Sequence, residues 1–389
     1  MRLKKVQRIL ITAASLLLLV FAAACGGEQS NISDKSIEVE GLTFIGRAEL
    51  KYADQFAIDR YEGGYSLIQA ADGAKYLIVP EKGKIPAKIK SDIKIIQQPV
   101  ENIYLAATAS MAMFDALDCG DRIKFSGTKA EDWYIDFARE AMMNGDILYA
   151  GKYREPDYEL LISKGCKLSV QSTMIEHNPE VKEKLEELGI TVFVDYSSYE
   201  SHPLGRCEWI RVYGEMTGER ELAESLFREQ SDILEAIGEQ PDTGKTVAFF
   251  YISNSGQAVT RKSGDYVNKM ITLAGGSNIF KDLDSGSGTS TVQMEMEKFY
   301  ATAKDADIII YNNNIGKDVK SIDDLIAKNS FLSDFKAVKN GDVWGTNENL
   351  FQDTMKMGEI ILDFNNVFSG KTDENPPRFV YRLKGGTEG

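Results

Sequence analysis

Two short stretches carry aromatic and basic side chains together, Tyr149, Tyr153 and Arg154 in LYAGKYREPDY and Tyr196, Tyr199 and Arg206 in VDYSSYESHPLGR, and a third, AVTRKSG, carries the basic pair Arg261 and Lys262. Aromatic faces grip planar macrocycles or catechols, while a guanidinium offers forked donors to carboxylate and catecholate oxygens. Ser172 and Thr173 close the apolar run KLSVQST and add hydroxyls of the same kind. The chemistry these groups suit is binding. Each residue taken alone also fits an ordinary surface loop, so the group carries more weight than its members.

Catalysis finds less support. The chain holds two histidines, His177 and His202. It has no G-x-S-x-G, H-E-x-x-H, phosphate loop or G-x-G-x-x-G. A bare zinc or manganese ion wants several imidazoles with carboxylates. His177 or His202 with Glu176 or Glu200 keeps that alternative open; histidines bonded to loop backbone are the simpler reading. A net charge of −14 means a body that repels nucleic acid and anionic lipid, and no basic stripe appears.

These residues need a frame. From about residue 91, short apolar runs alternate with amphipathic stretches: NIYLAAT then SMAMFDAL, RIKFSG then EDWYIDFAREAMM, KLSVQST then NPEVKEKLEEL, and ITVFVDY. Continuous apolar strands separated by helices predict a parallel sheet covered on both faces. The stretch ERELAESLFREQSDILEAI predicts one long helix, with Thr217 as N-cap and Leu222, Leu226, Ile233 and Ile237 on its buried face. The alternation then resumes with KTVAFFYIS, ADIIIYN and DVWGTN as strands, and QDTMKMGEIILDFNNVF as a closing helix. A Gly/Ser loop is expected at 284–291. The fold class expected is α/β: two Rossmann-like lobes joined by one long rigid helix, preceded by a small antiparallel β segment. Ligands of such sheets sit outside the carboxyl ends of the strands, so two facing lobes make a cleft. The expected spans are 37–90 for the β-rich segment, 91–216 for the first lobe, 217–240 for the linking helix and 241–389 for the second lobe. Gly63-Gly64 and Asp72-Gly73 mark hairpin turns in the β segment.

The N-terminus reads as an export signal over residues 1–24. Arg2, Lys4, Lys5 and Arg8 precede an apolar run too short to span a bilayer, and small residues follow it. Ala22-Ala23-Ala24-Cys25 is similar to the bacterial lipobox, which implies cleavage before Cys25, its acylation and a lipidated tether over 25–36. Removing residues 1–24 takes away those four cations and no acid, so the net charge moves from −14 to −18. Cys119, Cys166 and Cys207 remain; they read as buried small residues, with a Cys119–Cys166 disulfide as the alternative.

Five segments, in order, give a family likeness over roughly residues 98 to 370: LDCGDRIKFSG, PDYELLISKGCKLSV, EKLEELGITVFV, LAGGSNIF and EKFYATAKDADIII. They resemble the helical-backbone class of substrate-binding proteins of ABC importers, whose members carry cobalamin, ferric siderophores or haem, with a sister branch for zinc and manganese. Ala306 stands where proline is usual, and residues 31–96 have no counterpart in the well-known members. The resemblance implies a non-enzymatic, monomeric lipoprotein on the outer face of the cell membrane. Its partner is an ABC permease, its cargo a metal chelate (a ferric siderophore ahead of a corrinoid), and it needs no resident cofactor. It also implies that Tyr153 is a pocket aromatic and that Glu159 and Glu297, with Glu295 as substitute, meet permease arginines. The rival reading is a surface lipoprotein that binds a polymer or host protein through the β segment.

Overall fold

In the computed structural model, which describes residues 31–238, 242–283 and 290–385, the chain opens as a β-meander. Strands β1 (Phe44–Arg47), β2 (Phe56–Tyr61), β3 (Ser66–Ala70), β4 (Lys75–Val79) and β5 (Ile93–Gln97) lie in that order across one sheet. The hairpin turns stand at the expected glycines: Gly63, Gly64 and Gly73 have φ of 77°, 84° and 86°, a region that residues with a Cβ rarely enter. β1 to β4 pair antiparallel, but β5 runs parallel to β4. The sheet therefore extends past residue 90 and is not wholly antiparallel. Phe56, Ile58, Ile68, Tyr76, Ile78 and Ile96 join the core of the first lobe. On the opposite face Tyr61, Leu67, Leu77, Val79 and Ile93 form a second core under Val39, Ile37 and Ile89. Residues 31–37 are not a free tether. Asn31 N donates to Ala71 O (2.9 Å), Ser33 N to Gln69 Oε1 (3.2 Å) and Ile37 N to Asp59 Oδ2 (3.0 Å). The signal segment, Cys25 and most of the Gly/Ser loop lie outside the described residues.

The first lobe is built on β6 (Ile103–Leu105), β7 (Ile123–Ser126), β8 (Leu148–Tyr149), β11 (Leu168–Ser172) and β12 (Thr191–Asp195), in the order β12-β11-β6-β7-β8 and all parallel. A two-stranded hairpin, β9 (Gly151–Lys152) with β10 (Glu155–Pro156), follows β8. The strand centres are apolar because helices cover both faces. The meander packs on this lobe through specific polar ties as well as apolar ones. Phe56 meets Trp209 edge-on at 5.0 Å, and Tyr76 donates to Val192 O at 3.1 Å. The buried Glu208 accepts the backbone N–H groups of Lys51, Tyr52 and Ala53.

Thr217 does not cap the linking helix. It is the last residue of the helix Ile210–Thr217, its hydroxyl donates to Tyr213 O, and Gly218 at φ 85° breaks the chain before Arg220–Gly238 begins. The buried face of that helix is Ala223, Phe227, Gln230, Ser231, Leu234 and Ile237, while Leu222 is exposed. The stripe is turned from the expected one because the helix packs on the C-terminal helix Met357–Ser369. There, Gly358 N donates to Gln230 Oε1 at 3.0 Å. A Cβ at Gly358 would stand 2.6 Å from Gln230 O, so only glycine allows this approach.

The second lobe is a mixed seven-stranded sheet: β13 (Lys245–Ile252), β14 (Ala258–Arg261), β15 (Gly276–Asn278), β16 (Thr291–Met294), β17 (Ile308–Tyr311), β18 (Val343–Thr346) and β19 (Val380–Arg382). The path is β16-β14-β13-β17-β18-β19, with β15 also on β13. β13, β15, β17 and β18 are parallel; β14, β16 and β19 are antiparallel additions. Cys119, Cys166 and Cys207 are buried free thiols, so no Cys119–Cys166 disulfide forms.

Candidate functional site

Between the lobes lies a cavity of about 320 Å³. From the first lobe it is lined by Ala107, Thr108 and Ala109 after β6, Ser172 at the end of β11, Asp195, Ser197 and Ser198 at the end of β12, and Arg206. These are carboxyl ends of parallel strands, where the backbone turns and side chains can face out of the sheet. The second lobe supplies Arg261, Asp265, Tyr266, Ser290 and Phe351.

The two guanidiniums are placed by rings. Arg206, in the short helix Pro203–Glu208, stacks across the lobe boundary on Tyr266, 3.9 Å from its ring centroid. Arg261 lies 5.3 Å from the centroid of Phe351. A guanidinium stacked by its face keeps its edge donors for an oxyanion. Arg261 Nη1 also approaches Asp265 Oδ2 at 3.5 Å. Asp265 caps the helix Tyr266–Leu273 through Val267 N, and burial raises its pKa against the pull of Arg261. Burial likewise raises the Tyr266 pKa, opposed by Arg206 and Arg261.

On the first-lobe wall Asp195 is held from three sides. Oδ2 accepts from Ser110 Oγ (2.7 Å) and Tyr213 OH (2.5 Å), and Oδ1 from Ser197 N (2.7 Å). Burial, and then the Asp195 charge, push the Tyr213 pKa well above its usual value, so it stays a donor. No histidine lines the cavity among the described residues. The site offers forked cations, hydroxyls and ring faces beside the carboxylates of Asp195 and Asp265: a set that can hold an oxyanion at the guanidinium edges.

Of the residues singled out in the sequence, Ser172, Arg206 and Arg261 meet at this cavity. Arg261 ends the antiparallel strand β14 rather than following the lobe's first strand. Thr173 is buried beside Ser172 because the chain turns there into the 3₁₀ segment Thr173–His177. Lys262 is tied by its backbone, N donating to Ser290 O and O accepting from Asn268 Nδ2, and does not line the cavity. Tyr153 and Arg154 sit on the β9–β10 hairpin, Tyr153 half-buried on the lobe core and Arg154 exposed, and neither lines the cavity. Asp195, Ser197, Ser198, Tyr266 and Phe351 were not foreseen. The run DYSSYES directly after a strand was the available signal for three of them; Phe351 follows β18 at a distance that no local pattern marks.

The bare-metal arrangement does not form. His202 Nδ1 accepts from Leu204 N at 3.1 Å as a helix cap, and its ring stacks on Tyr52 at 4.3 Å. His177 is exposed, Glu176 accepts from Tyr196 OH, and Glu200 accepts from Asp54 N, Gln55 N and Trp209 Nε1. Among the described residues no three His, Cys, Asp or Glu side chains stand together as a metal site.

Glu159 and Glu297 are exposed acids in the first turns of the helices Tyr158–Ser163 and Met296–Ala303, one on each lobe. Glu295, the residue before the second helix, accepts from Gln257 Nε2 at 2.6 Å.

Residues 105–350 match the family described as periplasmic binding protein. The chain belongs to that family. The binding protein is 25% identical over 349 residues to the uncharacterized lipoprotein MJ0878 of Methanocaldococcus jannaschii, covering 85% of this chain and 82% of that one. Its fold is shared with the periplasmic heme binding protein HutB of Vibrio cholerae: TM-score 0.55, 17% identity, 67% of this chain and 96% of that one. It is shared equally with an ABC-type Fe3+-hydroxamate transport system protein of Saccharomonospora viridis: TM-score 0.53, 18% identity, 69% and 93%. Members of this family bind substrates for transport and are not enzymes. About three tenths of the binding protein therefore falls outside each structural match, and the N-terminal meander precedes the residues that match the family.

Proposed function

We propose that this protein is a lipid-anchored, extracytoplasmic, monomeric receptor that captures an anionic metal chelate between its lobes and delivers it to an ABC permease. The observation that carries the cargo reading is the convergence of Arg206 and Arg261, one from each lobe, on a single cavity with hydroxyls around it. A volume of about 320 Å³ is at the small end of ligand sites. It favours a compact ferric siderophore over a corrinoid; haem is kept as a third candidate, on grounds other than volume. Membership of a family whose solved relatives include Fe3+-hydroxamate and heme proteins supports a chelate of iron. Glu159 and Glu297 are the docking acids, and Cys25 is the lipidated residue.

The test is the absorption spectrum and metal content of protein purified from rich medium, followed by titration with ferric siderophores. A ferric charge-transfer band with stoichiometric iron supports the reading. Corrinoid bands would move the cargo to that class, and a tightly bound colourless metal would sink the chelate altogether. For delivery, Glu159→Lys with Glu297→Lys should leave ligand affinity and melting intact, since exposed charges add little to folding. Transport should collapse, because lysine would then face permease arginine; transport at the normal rate would refute the docking assignment.

A further inference from the structure

The N-terminal meander has no role in the cleft, yet it sets itself apart by charge. Residues 81–94, EKGKIPAKIKSDIK, carry five lysines against two acids in a chain whose net charge is −14. Lys82, Lys84, Lys88 and Lys90 are exposed, and Ile85 projects among them with 52% of its surface open to solvent. Lys88 pairs with Glu40 at 3.0 Å; Lys82, Lys84 and Lys90 make no ion pair among the described residues. Ile89 from this strip and Ile37 and Val39 from the chain's start cover the same face of the meander, the face turned away from the first lobe. Phe44 and Ile45, on the free edge strand β1, are also exposed, at 44% and 60%.

The second observation is the length of chain beyond that face. The chain is pinned to the meander from Asn31, whose N–H donates to Ala71 O at 2.9 Å. Only six peptide steps separate Asn31 from Cys25. Fully extended, they reach roughly 20 Å. An acylated Cys25 thus keeps this face within reach of the bilayer, at most roughly two and a half Debye lengths from it at physiological salt.

We infer that the outer face of the meander is a membrane-contact surface, in which Lys82, Lys84, Lys88 and Lys90 meet anionic lipid headgroups and Ile85 enters the interface. This rests on the lipid-anchored reading above. Four lysines and a single isoleucine suit a weak, salt-sensitive contact that orients an already anchored protein; they are too few to recruit it alone. The body of the protein is acidic and is repelled from the same surface, which favours one orientation, with the meander down and the lobes held away.

The test uses the full mature chain, acylated and reconstituted in vesicles of phosphatidylglycerol and phosphatidylcholine containing nitroxide-labelled lipid. A fluorophore is placed at Ala87→Cys, with Ser333→Cys on the second lobe as the distant control. The three native thiols of the lobes are buried, so labelling is selective. The label at 87 should be quenched and that at 333 not. The quenching should fall steeply in vesicles of phosphatidylcholine alone, in high salt, and in Lys82→Glu/Lys84→Glu/Lys90→Glu. Each lysine is worth roughly fivefold in the contact equilibrium. An unchanged melting curve of the triple variant shows that it remains folded.

Equal quenching in neutral and anionic vesicles would overturn the lysine contact. Absence of quenching at 87 would overturn the surface as a whole. Quenching that appears only when the permease is added would overturn it in favour of a protein partner. Intact mass reports acylation separately. A chain without acyl groups at Cys25 would overturn the anchor and the tether argument with it, a failure distinct from that of an anchored protein that does not lie down.

Discussion

The two lobes close on the same ligand space with different materials. The first lobe is a purely parallel sheet whose strand ends present short polar groups, Thr108, Ser172, Ser197 and Ser198, around the fixed carboxylate of Asp195. The second lobe extends its parallel centre with antiparallel strands, and its contribution is long: Arg261 from β14, Tyr266 from the start of a helix and Phe351 from a loop. Arg206 crosses the boundary to rest on Tyr266. The first lobe thus acts as a wall and the second as a set of plates. The backing differs in the same sense. Behind the first lobe's wall stands the whole meander, tied in by buried carboxylates; among the described residues the second lobe has no such backing, and away from its cavity the Lys336–Asp307 pair lies near the surface, with side chains 50% and 22% exposed.

The sharpest way to break that comparison is at Glu215. Its side chain is 1% exposed and accepts from Arg60 Nε (2.9 Å), Arg220 Nη2 (2.6 Å) and Ser66 Oγ (2.9 Å), joining meander, linking helix and lobe. Glu215→Ala takes this partner from Arg220 and from the buried Ser66 hydroxyl, and leaves Arg60 with Glu224 alone. A loss of about 3–5 kcal/mol in denaturant unfolding is expected, as for other broken buried pairs. Lys336→Ala in the second lobe should barely move the midpoint. Equal effects at the two positions would mean that the meander does not brace the first lobe.

Ligand affinity sharpens the comparison next. Arg206→Ala and Arg261→Ala should each weaken binding by about 1–3 kcal/mol, the cost of a lost charge-assisted contact, with little change in melting temperature. Arg261→Lys keeps the charge but not the fork, so it should recover only part of the loss. Ser172→Ala, on the wall, should cost about 1 kcal/mol. Titration calorimetry ranks them, and a wall substitution that outweighs both arginines would reverse the roles assigned to the two lobes.

Strand and helix identities were legible where local pattern decides them. Apolar runs such as VFVD and IIIY can only be covered strands, and Gly63-Gly64 can only turn. Ser172, Arg206 and Arg261 were found because each lies just past such a run. What failed depended on neighbours distant in the chain. Leu222 has the right period for burial, yet the C-terminal helix takes the adjoining stripe. Tyr153 is an aromatic after a strand, yet the β9–β10 hairpin keeps it out of the cavity. β14 was hidden because AVTR is too short to signal a strand, and Phe351 because its place is fixed by tertiary packing. The histidines misled for a similar reason: His202 spends its lone pair on a helix N-terminus.

The smallest effect lies at the loop that joins meander and lobe, where two adjacent groups titrate in opposite senses. Glu200 accepts Asp54 N and Gln55 N, and burial raises its pKa from 4.5 to about 7. His202 stacks on Tyr52, and burial lowers its pKa from 6.5 to about 4, with Lys269 adding to the shift. As pH rises from 4.5 towards 7, the unfolded chain has released the Glu200 proton while the folded chain keeps it, so this group costs stability with rising pH. Between pH 6.5 and 4 the unfolded His202 takes up a proton that the folded ring refuses, so this group costs stability with falling pH. Over about pH 4.5–6.5 the two slopes oppose and largely cancel. Glu200→Gln should leave the His202 slope exposed, so that its own stability rises from pH 4 to 6.5, and its stability relative to wild type rises from pH 4.5 to 7 as the Glu200 cost is removed. His202→Asn keeps a helix-capping side chain and should leave the Glu200 slope, so that its own stability falls from pH 4.5 to 7, and its stability relative to wild type falls from pH 4 to 6.5. Thermal melts of the three proteins at half-unit intervals of pH read both signs. Curves that run parallel across the range would show that neither group changes its protonation on folding, and that the loop joins meander to lobe by shape alone.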